Sequence, residues 1–217
     1  MTYIIGMVSQ KGGVGKSTLA RLLAREVAAG GLSVKIADLD VQQRTSENWG
    51  KRRAANRIEP VVRVESFVAV RTALNEAGQF DVYILDGAPH ASKDTRTVAE
   101  AADLVVIPTS DSDEDLEPSV LLAHELVGKG IPIERIAFAL CMVSDSVKEI
   151  LAAQSYLAKT PYRLLEGEVP FRTGFRKALA RGQAITETPF RTLVARADRL
   201  AQSMIDAAAE SAERQAA

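Results

Sequence analysis

The stretch Gln10-Lys11-Gly12-Gly13-Val14-Gly15-Lys16-Ser17-Thr18 holds the residue types that phosphate chemistry needs, at a spacing that lets them act together. Gly12, Gly13 and Gly15 allow backbone N–H groups to turn inward and approach phosphate oxygens closely. Lys16 supplies a point charge for the β and γ phosphates. Ser17 offers a hydroxyl to Mg²⁺, and Thr18 is placed to bond an α phosphate. Further along, Val82-Tyr83-Ile84-Leu85-Asp86 is an apolar run that ends in a carboxylate. Asp86 at such a strand end is expected to hold Mg²⁺ through water. These residues predict a site for a nucleotide with Mg²⁺.

The loop needs a strand before it and a helix after it. Tyr3–Ser9 reads as a buried strand, and Leu19, Leu22, Leu23 and Val27 fall on one face of a helix running from Lys16 to about Ala29. The positive end of that helix favours an anion in the loop. Gly30-Gly31 ends the helix. Further strands are predicted over Ser33–Asp38, Val61–Val64, Val82–Asp86, Leu104–Pro108 and Ile136–Val143, with a shorter one near Tyr162–Leu165. Helices are expected between most of them, among them Glu117–Val127, and over most of Ala178–Ala209. Continuous apolar strands joined by helices imply an α/β fold, a mostly parallel central sheet with helices on both faces. The 217 residues read as one domain, with 207–217 a fraying tail.

Composition narrows the classes. Hydrophobic residues make up 47% and charged residues 25%, ordinary for a soluble globular chain, and no apolar run approaches the ~20 residues of a membrane span. With no signal peptide, a cytoplasmic protein is expected. One cysteine, Cys141, excludes an internal disulfide, and with two histidines it excludes a Cys/His zinc cluster. Cys141 is expected to be a small buried hydrophobe, and His124 and His90 are read as ordinary structural or loop residues. The net charge of −1 means that any nucleic-acid binding must come from a local patch. Two patches stand out: Arg44, Lys51, Arg52, Arg53 and Arg57 around a half-buried Trp49, and Arg172, Arg176, Lys177 and Arg181. An acidic knot, Asp111 to Glu117, lies between them and reads as helix-start acids.

Lys11 at the head of the loop, in place of an ordinary residue, gives a Lys-Gly-Gly-Val-Gly-Lys-Ser form that resembles the deviant Walker A motif of ParA/MinD partitioning ATPases. The resemblance runs from Met1 to about Ile205 and implies a P-loop NTPase-like fold that binds ATP and Mg²⁺. It implies that Lys11 reaches across a nucleotide sandwich homodimer to the partner's phosphates. Asp38-Leu39-Asp40 resembles the family's second acidic motif, which makes Asp40 the residue that orients the attacking water and touches the metal's water shell, and Asp38 a metal-shell or structural group. Asp86 falls on the Walker B carboxylate and Gly87-Ala88-Pro89 on the switch segment. Pro108 and Asp115 lie where the family places interface or base-adjacent contacts. Pro170 and Phe171 resemble the loop near adenine, and Arg172, Arg176, Lys177 and Arg181 the basic residues that contact the DNA backbone without reading sequence.

What the resemblance implies is an ATPase that is slow without a partner. It would be nucleoid-associated through non-specific DNA binding, and it would segregate or position a cargo with a centromere-binding or cargo-adaptor protein that stimulates hydrolysis. A short chain beginning at its first strand is expected to lack the helix-turn-helix domain of larger relatives. A MinD-like membrane cycle is disfavoured, because 201–217 offers Met204 and Ile205 among alanines and acids rather than an amphipathic anchor. One cysteine per chain cannot supply an iron–sulfur reductase. A dethiobiotin-synthetase-like enzyme shares loop and fold but needs a substrate pocket that no motif marks.

Overall fold

The structure is a computed structural model that describes residues 2–89 and 92–216. His90 lies outside the described residues. The strands are β1 (Tyr3–Met7), β2 (Val34–Asp38), β3 (Arg63–Ser66), β4 (Val82–Asp86), β5 (Leu104–Thr109), β6 (Ile136–Val143) and β7 (Arg163–Pro170). The α-helices are α1 (Lys16–Ala29), α2 (Thr45–Ala55), α3 (Val70–Leu74), α4 (Ser92–Ala101), α5 (Asp113–Gly128), α6 (Val147–Leu157), α7 (Thr173–Ala180) and α8 (Arg191–Ala216). All seven strands are parallel, in the order β3-β2-β4-β1-β5-β6-β7.

Alternate strand residues feed opposite faces. Ile5 and Met7 of β1, Ile36 of β2 and Ile84 of β4 pack with Leu19, Leu22 and Leu23 of α1 and with Leu200 and Met204 of α8. On the other face Tyr83, Leu85, Val105, Ile107 and Phe138 meet Val98 of α4, Leu126 of α5 and Leu157 of α6. Both faces are therefore dry, which is why the strands read as apolar runs rather than as alternating ones.

The chain moves outward from β1 to β2 and β3, returns to place β4 beside β1, and then moves the other way through β5, β6 and β7. This reversal opens a crevice at the C-terminal ends of β1 and β4, where α/β sheets bind ligands. The register is specific. Met7 stands opposite Asp86, and Asp86 opposite Asp38, so both carboxylates end level with the last residue before the glycine loop.

Several expectations need correction. β3 begins at Arg63 rather than Val61, because the pairing with β2 starts only at Arg63, opposite Lys35. β7 runs on to Pro170, well past Leu165, because a bulge lets it continue beside β6. Most of Ala178–Ala209 is helical as expected, in the end of α7 and in α8. α8 runs through the segment expected to be the tail as far as Ala216, with Ala207, Ala208 and Ala212 buried on it. Trp49 is fully buried, not half-buried, and its indole N–H donates to the Gln183 carbonyl at 3.0 Å. Arg53 leaves the basic cluster altogether. It is 2% exposed and forks onto Glu187 at 2.7 and 2.8 Å, tying α2 to the connection before α8. Cys141 is buried as expected, and His124 shares a 2.8 Å hydrogen bond with the Tyr162 hydroxyl.

Gly167 sits within the β7 bulge at φ +86°, and a Cβ there would press on the Arg196 carbonyl and lie 2.6 Å from the Leu200 amide nitrogen. Both neighbours are backbone of α8 and cannot swing aside. Gly167→Ala should therefore cost about 3 kcal/mol, from strain and from loosened α8 packing, read as a lower urea midpoint at unchanged slope.

Candidate functional site

The loop after β1 folds as its glycines dictate. Gly13 and Gly15 adopt φ of +83° and +108°, which side-chain-bearing residues rarely reach. A Cβ on Gly15 would also run into the Cys141 thiol beneath it. Gly15 caps α1 with no side-chain hydrogen bond, and the first turn of α1 contains no acid. A helix normally satisfies its first N–H groups with a polar cap. Here those donors and the positive helix end are left for an incoming anion.

The loop closes one wall of a cavity of about 260 Å³ lined by Gly12, Gly13, Gly15, Lys16, Ser17 and Thr18. Asp40 from the β2–α2 connection, Thr45 at the start of α2, Gly87 and Pro89 after β4, and Arg21 and Met142 also line it. A larger hollow of about 430 Å³ lies along β7 and α8, but it gathers none of the phosphate-binding elements. The chemistry therefore selects the smaller cavity.

Beneath the loop lies a chain of buried polar groups. The Arg21 Nε–H donates to Ser46 Oγ at 3.2 Å, and the Ser46 hydroxyl donates to Asp86 Oδ2 at 2.6 Å. Asp38 accepts the backbone N–H groups of Ser46 and Glu47 at 2.8 and 3.0 Å, so it caps α2 from the end of β2. It also accepts the Asp40 N–H at 3.1 Å. Asp38 thus holds a helix start in place, the structural of its two expected roles. Asp40 is only half-buried, accepts the Gln43 N–H at 3.0 Å and faces the cavity.

Burial pushes the Asp86 carboxyl up to about 6; the Ser46 hydrogen bond opposes this, the Asp38 charge adds to it, and Arg21 opposes it. Burial likewise raises Asp38, against the backbone hydrogen bonds from Glu47, Asp40 and Ser46. Burial lowers Lys16, against the charges of Asp86 and Asp40. The Lys16 ammonium donates to the Lys11 carbonyl at 3.1 Å. Ser17 Oγ lies 3.0 Å from Thr45 Oγ1.

Asp86 Oδ1 is buried and has no hydrogen-bond partner among the described residues. A buried carboxylate oxygen left this way is costly unless a cation meets it. A carboxylate and a hydroxyl are the hard oxygen donors that Mg²⁺ takes alongside waters and phosphates, so Asp86 and Ser17 fit that ion.

The expected residues separate into those the fold gathers and those it does not. Lys16, Ser17, Thr18 and Asp40 line one crevice, and Asp86 is buried at the end of β4, next to Gly87 on its wall. Lys11 turns away from the cavity onto α5, pairing with Asp115 at 2.9 Å. Pro108 is buried within β5. Pro170 ends β7 and is buried, Phe171 is 52% exposed, and neither lines the phosphate cavity. Met142 does line it, held at φ +61° at the end of β6. No sequence signal marks Met142; a bulge in the β6–β7 pairing creates its conformation. Arg21 lies outside the apolar α1 positions Leu19, Leu22, Leu23 and Val27 and no sequence signal marks it, yet it is 7% exposed. Arg172 precedes α7 and forks onto Asp145. Arg176 stacks over the Phe171 ring at 5.9 Å, and Lys177 and Arg181 are exposed.

Comparison with known proteins places this geometry. Residues 5–185 match the CobQ/CobB/MinD/ParA nucleotide binding domain family. The maintenance of carboxysome distribution protein A of Gloeobacter kilaueensis is 27% identical over 125 residues, 57% of this chain and 56% of that protein. The aligned region thus spans little more than half of that relative's length. The septum site-determining protein MinD of Pyrococcus horikoshii, solved with Mg-ADP, superposes with TM-score 0.77 at 17% identity, over 97% of this chain and 99% of that one. A plasmid partition protein of Borrelia burgdorferi bound to AMPPNP gives 0.71 at 17%, over 95% and 99%. The Cyanothece McdA(D38A)–ATP complex gives 0.71 at 15%, over 94% and 96%. These solved structures share the fold.

With a folded-state pKa above its unfolded value, Asp86 makes the nucleotide-free chain bind more protons folded than unfolded between about pH 4 and pH 6. Stability is then lost as pH rises through that window. Asp86→Asn keeps the acceptor for Ser46 and removes the loss. At neutral pH the nucleotide-free variant should melt roughly 5 °C above the native chain, and the gap should close near pH 4, in thermal melts at both pH values.

Proposed function

The chain belongs to the CobQ/CobB/MinD/ParA nucleotide-binding family, and on that premise we propose that it is a ParA-type positioning ATPase that pairs as an ATP-bound homodimer. The observation that carries this reading is the uncapped start of α1 behind a glycine loop, beside a buried carboxylate oxygen that lacks a partner. Such a crevice suits the phosphates of a nucleotide with Mg²⁺, and Mg²⁺ held by Ser17 and Asp86 would supply neutralisation of phosphate charge. Lys16, partly desolvated, holds those phosphates. Ser17 and Asp86 supply oxygens toward the ion. Asp40, on the cavity wall, orients the attacking water. Lys11 completes the partner's site across the dimer. Little in the site generates a strong base, so hydrolysis is slow until an adaptor protein stimulates it.

Duplex DNA is the proposed track. Arg176, Lys177 and Arg181 are exposed on and beside α7 and suit phosphate contacts without base reading. Arg172, already paired with Asp145, contributes less. The carboxysome-distribution relative and the plasmid-partition neighbour support a cargo that is moved or spaced along the nucleoid, with a centromere complex or a protein assembly as that cargo.

Lys16→Ala should abolish ATP binding, measured by calorimetry. Asp40→Ala should bind ATP and DNA but hydrolyse at least about 100-fold more slowly; native turnover in that variant would remove Asp40 from the mechanism. Binding to a random-sequence duplex should require ATP and fall steeply with salt. Lys177→Ala and Arg181→Ala should each lower the salt slope by about one, and equal binding with ADP or no nucleotide would overturn the DNA-tethered reading.

A further inference from the structure

Lys11 is held by three separate arrangements in the resting chain. Its ammonium pairs with Asp115 Oδ1 at 2.9 Å and donates to the Glu114 carbonyl oxygen in the first turn of α5. That carbonyl is open because of Pro118, which stands four residues on, inside the helix, and has no N–H to donate back. Asp115 is itself fixed, its other carboxylate oxygen accepting the Ser110 hydroxyl at 2.6 Å. Burial would raise the Asp115 carboxyl, but the Ser110 and Lys11 hydrogen bonds outweigh it and hold it below its ordinary range. At the backbone, the Lys11 N–H donates to Ser9 Oγ at 3.1 Å and its carbonyl accepts from the Lys16 ammonium.

We propose that Asp115, together with the Glu114 carbonyl freed by Pro118, is a positioning group that latches Lys11 in cis and must release it before two ATP-loaded chains can pair. The proposal rests on the reading of Lys11 as the residue that crosses to the partner's phosphates. The two lysines link the events. A phosphate entering the loop draws Lys16 away from the Lys11 carbonyl, which loosens the Lys11 backbone and weakens its grip on α5. An empty loop keeps Lys16 on that carbonyl and Lys11 on Asp115. The latch therefore sets how much ATP is needed for pairing without touching the nucleotide itself. The Lys11–Asp115 pair is 39% and 21% exposed at its two side chains, so its strength is modest and suited to a contact that opens in each cycle.

The test is the dimer fraction, by sedimentation, across a titration of Mg²⁺ with a non-hydrolysable ATP analogue. Asp115→Asn should reach half-dimer at about threefold to tenfold lower analogue than the native chain. Pro118→Ala restores a helix N–H for the Glu114 carbonyl and should shift the midpoint the same way by less. Because loop phosphate and latch are coupled through Lys16, monomer affinity for ADP should rise modestly or stay level in both variants and never fall, a readout that separates a positioning role from damage to the loop. An unchanged or raised midpoint in Asp115→Asn overturns the latch. Should that variant fail to fold, an unchanged midpoint in Pro118→Ala overturns it. Lys11→Ala separates the two readings. Loss of pairing there together with an unshifted Asp115→Asn defeats the latch alone, whereas normal pairing in Lys11→Ala defeats the role given to Lys11 and the latch with it.

Discussion

Met7, Asp86 and Asp38 end level on three neighbouring parallel strands, and the site depends on that register. The glycine loop leaves β1 immediately after Met7, so Asp86 lies beneath it and Asp38 one strand further out. A slip of one residue in β4 would turn Asp86 onto the other face of the sheet and bring Leu85 into its place. Two dry sheet faces oppose such a slip, because it would also exchange Tyr83 and Leu85 with Val82 and Ile84 between two differently shaped cores. The packing that stabilises the fold and the alignment that builds the site are the same constraint.

The electrostatic design follows from that geometry. Two carboxylates and a guanidinium are buried around one serine hydroxyl, and Ser46 connects them by accepting from Arg21 and donating to Asp86. Asp38 spends its lone pairs on the start of α2 and is satisfied. Asp86 is not, since one of its oxygens has no donor among the described residues. Among these groups the cost of burial is thus concentrated on the carboxylate closest to the phosphate loop, where a bound cation would relieve it.

The two loop lysines divide the work. Lys16 is buried and faces the crevice, while Lys11 is drawn out to α5 by a carboxylate and by a carbonyl that a proline leaves open. Basic residues elsewhere divide similarly. Arg53 is consumed by Glu187 inside the fold, Arg172 is engaged by Asp145, and Lys177 and Arg181 remain exposed. A count of charges along the chain does not distinguish these roles. Their partners do.

By itself the sequence determined the phosphate loop, the strand-ending carboxylates Asp38 and Asp86, the parallel α/β class and the burial of Cys141. Each of these is local: glycine spacing dictates backbone angles, and continuous apolar runs dictate strands covered on both faces. Only the tertiary structure decided that Asp38 caps α2, that Arg21 turns inward, that Met142 lines the phosphate cavity, and that Ala207, Ala208 and Ala212 are buried on α8. The same holds for Lys11 meeting Asp115 across 104 residues and Arg53 meeting Glu187 across 134. Such partners are chosen by strand order and by the bulge between β6 and β7. A run of residue types along a chain records which groups seek a partner, and the folded sheet alone brings a particular one within reach.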